Sequence, residues 1–251
     1  LIGYKEGISR PDEYLIFMAH WDHLGVNEEL VGDQIFNGAA DNAAGVAAVI
    51  ELARKFDQIQ TERSIIFTAL TLEESGLLGS AYLAENPPFD LANVVAGFNF
   101  DRVLPTGKTK DMAVIGYGAS ELEDYLEAEL EKQGRYINPD PNPEKGYFYR
   151  SDHISFAKKG VPVLYSDDGF DLEEGGIEEG FKEIYDYTNF RYHGVNDEYD
   201  PSWNLEGFEQ TIDTIFNISQ DLSNSSDWPN WYEGNEFRAT RDAQLSSKNN
   251  P

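Results

Sequence analysis

A mainly parallel sheet covered on both faces by helices, a three-layer α/β/α fold, is predicted by three features of the sequence. Short β-rich runs alternate with helical ones, residues with metal-binding chemistry fall directly after several of the β-rich runs, and no linker divides the 251 residues. The chain is the size of one large domain, and 40% hydrophobic residues with 15 Phe and 14 Tyr supply its core.

In order, a strand-like LIGYKEG opens the chain, and YLIFMA at 14–19 is the first buried strand. Val46, Val49, Ile50 and Ala53 recur at helical spacing in a run that starts at Ala43, so one face of that helix packs on the core. SIIFTAL at 64–70 and VVAGFNF at 94–100 read as strands, with a helix at 77–85 between them. DMAVIG at 111–116 is a further strand, followed by an amphipathic acidic helix at 120–133 and a Pro-rich loop at 138–146. A short helix at 151–159 precedes the buried strand VPVLYS at 161–166. The stretch at 167–186 reads as an acidic, Gly-containing loop, and 204–222 as the last amphipathic helix. Residues 224–251 form a polar C-terminal tail in which Trp228, Trp231 and Phe237 are candidate anchors to the single domain.

A formal net charge of -27, from 46 acidic and 19 basic residues, excludes nucleic acid and anionic membrane surfaces as partners. No run is apolar and long enough to span a bilayer. With 0 Cys there is no disulfide framework and no thiolate site, so a metal ion would be held by imidazole and carboxylate.

His20 and Asp22 follow YLIFMA, Glu73 and Glu74 follow IIFTALTL, and Asp101 follows VVAGFNF. Open α/β sheets keep their ligand sites at the carboxyl ends of strands, so a parallel sheet would bring these residues to one edge. Asp41, at the start of the helix that leaves that edge, joins them; a helix cap and a metal ligand are both open readings for it. The 4 His are His20, His23, His153 and His193, and each has an acidic neighbour. Asp22 and Asp197 are placed to orient ligating imidazoles.

The motifs AHWDHLG at 19–25, GAADNAAG at 38–45, LTLEESGLLGS at 70–80, NFD at 99–101, SDHISFAKKGVPVL at 151–164 and YHGVNDEYD at 192–200 together resemble the di-zinc aminopeptidases of the bacterial leucyl-aminopeptidase type. These are clan MH metallopeptidases with the zinc exopeptidase (phosphorylase/hydrolase-like) fold, related to glutamate carboxypeptidase and glutaminyl cyclase. The resemblance implies two zinc ions, one held by His20 and Asp101 and the other by Glu74 and His193, with Asp41 bridging both. Glu73 would be the general base, Asp22 would orient His20, and peptides with a free N-terminus would be the substrates. For Asp152 and His153 two readings stand, a helix start capped by Ser151 or contacts to substrate; His23 is expected to support its loop. The acidic stretch at 167–186 is expected to rim the pocket. Alternatives on the same sheet are a carboxypeptidase, for which Arg102 and Arg150 are candidate carboxylate clamps, a glutaminyl cyclase, or a binding module without metal. Relatives carry more sheet and helix upstream, so the chain is expected to lack upstream residues, and a secreted or periplasmic location is expected. The residues carry no signal for oligomeric state.

Overall fold

The computed structural model describes residues 1–249. The chain runs through β1 (Ile2–Lys5), β2 (Arg10–His20), a short hairpin of β3 (Gly25–Val26) and β4 (Ile35–Phe36), and α1 (Ala44–Asp57). It continues with β5 (Arg63–Leu70), α2 (Leu78–Glu85), β6 (Val94–Asn99), β7 (Asp111–Val114), α3 (Leu122–Lys132) and β8 (Tyr136–Pro139). The last part holds α4 (His153–Ala157), β9 (Val163–Asp168), α5 (Gly176–Phe190), α6 (Glu206–Asn224) and α7 (Arg238–Asn249).

Seven strands form one mixed sheet in the order β1-β5-β2-β6-β9-β7-β8. β5, β2, β6 and β9 are parallel, as are β7 and β8, whereas β1 pairs antiparallel with β5 and β7 with β9. Leu15–Ala19 in β2 are wholly buried, because a parallel strand covered on both faces reads as a continuous apolar run. One face packs on α1, α3 and α6, where Phe17 meets the rings of Phe56, Phe67 and Phe98 at 5.7, 5.6 and 5.2 Å. The other face packs Ile16, Met18 and Ile66 against Leu83 of α2 and Phe156 of α4. This is the expected three-layer fold.

Three stretches differ from the sequence reading. The acidic 167–186 loop contains most of a helix, α5. Its Gly180 looks like a breaker, yet a side chain there would sit 2.0 Å from the Phe170 carbonyl oxygen, so it is a packing glycine. The Pro-rich 138–146 loop gives its first residues to β8, an edge strand, where Pro139 is tolerated. Finally, the polar tail is folded onto the domain as far as the described residues reach. Trp231 is fully buried and donates to the Gly160 carbonyl at 3.1 Å, and Phe237 packs beside it. Arg241 of α7 is buried and donates to the carbonyls of Val94 and Val95 at 2.9 and 3.0 Å. Residues 250–251 of the expected tail lie outside the described residues. No helix among the described residues is long and apolar enough to cross a membrane.

Candidate metal centre

The parallel register of β2, β5 and β6 brings His20, Glu73, Glu74 and Asp101 to one sheet edge. Asp41 reaches it from a π-helical turn, Ala39–Ala43, just before α1, and His193 from the turn after α5. Asp41 is buried, and its side chain does not cap α1. The neighbouring Asn42 does: its Oδ1 accepts from the Gly45 N–H at 3.0 Å while its Nδ2 donates to the Phe100 carbonyl at 2.9 Å. A side chain at position 45 would lie 2.1 Å from that Oδ1, which explains the glycine.

The two oxygens of Asp41 face different imidazoles. Oδ1 lies 3.2 Å from His20 Nε2, and Oδ2 lies 3.4 Å from His193 Nε2. His20 Nε2 is also 3.2 Å from Asp101 Oδ1, and His193 Nε2 is 3.1 Å from Glu74 Oε2. Charge-assisted N–H···O bonds run at about 2.7–2.9 Å. Two donors of one tetrahedral zinc, each bonded at about 2.0–2.1 Å, lie about 3.3–3.4 Å apart. The separations of 3.1 to 3.4 Å are at the long end of the hydrogen-bond range and close to the spacing of two donors on one ion. Donor atoms of His20, Asp41 and Asp101 lie within 4.8 Å of one another, as do those of His23, Asp41 and Glu74. Imidazole and carboxylate without thiolate are donors that suit zinc, so the residues present fit that ion.

The electrostatics agree. Burial opposes charge on His20, yet Asp101 and Asp41 push it up to about 12. The carboxylates of Asp41 and Glu74 that face its Nε2 push His193 up to about 10. Burial would raise Asp41, but His193 and His20 hold it well below the usual carboxylate range. The site is built to hold positive charge among carboxylates. Glu73 behaves in the opposite sense: burial first, then the charge of Asp101, push it up to about 9.

The supporting carboxylates are close to the site but act differently from the sequence reading. His20 Nδ1 meets the Asp22 backbone carbonyl at 3.1 Å, while the Asp22 carboxylate is 3.9 Å away. That carboxylate instead accepts from the Glu73 and Glu74 N–H groups at 3.2 and 3.4 Å, holding the turn that carries both. Asp197 contacts the Asp41 turn: it accepts from the Ala40 and Asp41 N–H groups at 3.0 Å and from the Tyr187 hydroxyl at 3.3 Å. His23, expected only to support its loop, meets Glu74 Oε1 at 2.8 Å.

A cavity of about 430 Å³ opens over these groups, lined by Asp41, Glu73, Glu74, Asp101 and His193 together with Arg102, Arg150 and Asp167. Asp152 and His153 do not line it. Both are buried, and His153 lies between the rings of Phe148 and Tyr165 at 4.9 and 4.8 Å. Burial pushes its imidazole down to about 3, a neutral core histidine. The Ser151 hydroxyl accepts from Asn99 Nδ2 at 2.8 Å, and no side chain caps α4. Of the expected acidic rim, Asp167 lines the cavity and Glu173, Glu174 and Glu179 line a different one. Asp167 is the last residue but one of β9, so the strand-end rule also points to it. Arg102 Nη2 donates to its Oδ2 at 2.5 Å. Tyr192 was not foreseen; its ring stacks on His193 with centroids 3.9 Å apart.

Among the described residues, the non-glycine residues in the left-handed region are Leu72, Leu77, Arg102 and His193, all beside this cavity or in its wall. Backbone strain of this kind collects at functional sites.

A profile of peptidase family M28 matches residues 1–219. A "probable zinc metalloprotease" of Pyrenophora tritici-repentis is 29% identical over 209 residues, covering 79% of this chain and 46% of that protein. The chain thus spans about half the length of that curated relative. Among solved structures, an aminopeptidase from Aneurinibacillus sp. superposes with a TM-score of 0.64 at 22% identity, covering 90% of this chain and 48% of that one. A zinc aminopeptidase from Bacillus subtilis gives 0.61 at 19%, covering 94% and 53%. A glutaminyl cyclase from Bacteroides thetaiotaomicron gives 0.58 at 18%, covering 90% and 77%. At these identities the structural likeness shows the fold.

Proposed function

The chain belongs to peptidase family M28, and from that premise we propose that it is a zinc-dependent exopeptidase that removes N-terminal residues from peptides. The observation that carries the proposal is Asp41, whose two oxygens each face a different histidine. His20 and Asp101 would hold one ion and Glu74 and His193 the second, with Asp41 able to serve both; His23 keeps Glu74 in place. Bound there, zinc supplies Lewis-acid charge that polarises the scissile carbonyl and makes water a stronger acid.

Glu73 lines the same cavity and is not needed as a ligand. Burial and the charge of Asp101 raise its proton affinity, and cations held beside it would bring it back down towards the working pH, leaving it ionised as a general base requires. It accepts the proton of the attacking water at a carboxylate oxygen and gives it to the amine that leaves. Asp22 fixes the backbone that carries Glu73 and Glu74, so base and ligand keep a constant separation. The surrounding carboxylates suit the ammonium group of a free N-terminus, and two neighbours in structure carry the name aminopeptidase.

Metal analysis paired with hydrolysis of an aminoacyl anilide, before and after chelation, tests the reading. Two zinc ions per chain and loss of turnover on chelation are expected. Fewer than two ions, or turnover indifferent to the chelator, overturns it. Asp41→Ala is expected to empty both positions, and a variant that still binds two ions tightly would remove the bridge.

A further inference from the structure

In a chain with 46 acidic and 19 basic residues, two arginines line the one cavity that holds the metal-binding residues. Most of the carboxylates around them have another task. Asp41, Glu74 and Asp101 are the assigned ligands, Glu73 is the assigned base, and Asp167 is paired with Arg102. That pairing uses only Nη2 of Arg102, whose side chain keeps 24% of its surface exposed. Arg150 is exposed and lies over the Tyr147 ring at 5.6 Å. Among the described residues, it lies on this ring and pairs with no carboxylate. Its charge is nevertheless felt at Tyr192, the ring that stacks on His193.

A guanidinium is a planar fork of donors that matches a carboxylate and stays charged. In a protein this acidic, an arginine without a carboxylate partner in the wall of a reaction cavity is a vacant position for an anion brought by the ligand. We propose that Arg150, with the free N–H groups of Arg102, makes this cavity select substrates that bear a carboxylate next to the scissile bond. This rests on the exopeptidase reading above. The carboxylate has two sources, the side chain of an acidic first residue or the C-terminus of a dipeptide, and the chemistry that recognises it is the same.

The test uses the zinc-loaded protein. Glutamyl and glutaminyl anilides differ in charge and scarcely in shape, and so do alanyl-alanine and its C-terminal amide. In at least one of these pairs the charged member is expected to have a kcat/KM higher by roughly tenfold to a hundredfold, the range of a hydrogen bond to a charged group. The first pair identifies a side-chain source and the second a C-terminal source. Arg150→Gln and Arg102→Gln should each move that ratio towards one. Ratios of one or less in both pairs, or ratios that neither variant changes, overturn the proposal. Calorimetric binding of L-glutamate against L-glutamine, and of alanyl-alanine against its amide, gives a readout without turnover. If no anilide or dipeptide is cleaved but the charged member of either pair binds tenfold tighter, the exopeptidase reading fails and the carboxylate site stands. Equal binding in both pairs together with absent turnover overturns both.

Discussion

Neighbouring carboxylates in this cavity have opposite proton affinities, and the cause is which groups face them. Glu74 meets His193 and His23 and is held down to about 2 despite its burial, whereas Glu73 has burial and the Asp101 charge against it. Glu73→Gln is therefore expected to keep its zinc and lose turnover by a factor of about 10²–10⁴, the usual contribution of a positioned base. A variant that loses metal instead would exchange the roles of Glu73 and Glu74. His153 gives a pH prediction of a different kind. Its folded-state value, near 3, lies below the ordinary value of 6.5, so only the unfolded chain takes up this proton as the pH falls between them. The native state thus loses stability below about pH 6.5, by about 2 kcal/mol at pH 5 from this group. His153→Leu should remove that part of the slope in urea titrations at pH 7 and pH 5; an unchanged slope would refute a neutral buried imidazole. Residue types and strand ends bring His20, Glu73, Glu74 and Asp101 to one sheet edge in the sequence, as the structure does, whereas the roles given to them and to Asp41 and His193 come from the family resemblance. Those two cues were not enough to separate Asp152 and His153, which share the motif but are buried and do not line the cavity. Nor did spacing show that Asp22 and Asp197 hold backbone N–H groups, because an acceptor's partner depends on loop geometry.

The elements that were legible carry an apolar pattern set by how they are covered, a continuous run in β2, buried on both faces, and a helical period in α1. α5 was hidden because Gly175, Gly176 and Gly180 are breakers by composition, and only the close approach of the Phe170 carbonyl shows why a glycine sits inside it. α7 was hidden for another reason, since a polar helix on the surface has no apolar stripe long enough to announce it. Its attachment rests on Arg241, which satisfies two carbonyls at the start of β6 and lies 5.3 Å over the Trp228 ring. Arg241→Leu leaves both carbonyls without these donors and should cost about 2–4 kcal/mol in chemical denaturation. A cost below about 0.5 kcal/mol would mean that α7 is held by Trp231 and Phe237 alone.

At the scale of the molecule, a net charge of -27 makes the folded state repel itself. The screening length falls from about 30 Å at 0.01 M salt to about 10 Å at 0.1 M, so the thermal midpoint is expected to rise with sodium chloride over that range. A midpoint that does not move, measured on zinc-loaded protein, would show that local ion pairs such as Lys55–Asp213 and Arg10–Glu62 already balance the surface. The fully buried Trp231 has a practical consequence for anyone who shortens this chain. The family match stops at residue 219, inside α6, which continues to Asn224. A recombinant piece cut there would expose the indole's socket against Gly160 and the sheet face that Arg241 covers, inviting aggregation in the expression host. The cut that respects the molecule lies after α7, some thirty residues further on than the sequence family would suggest.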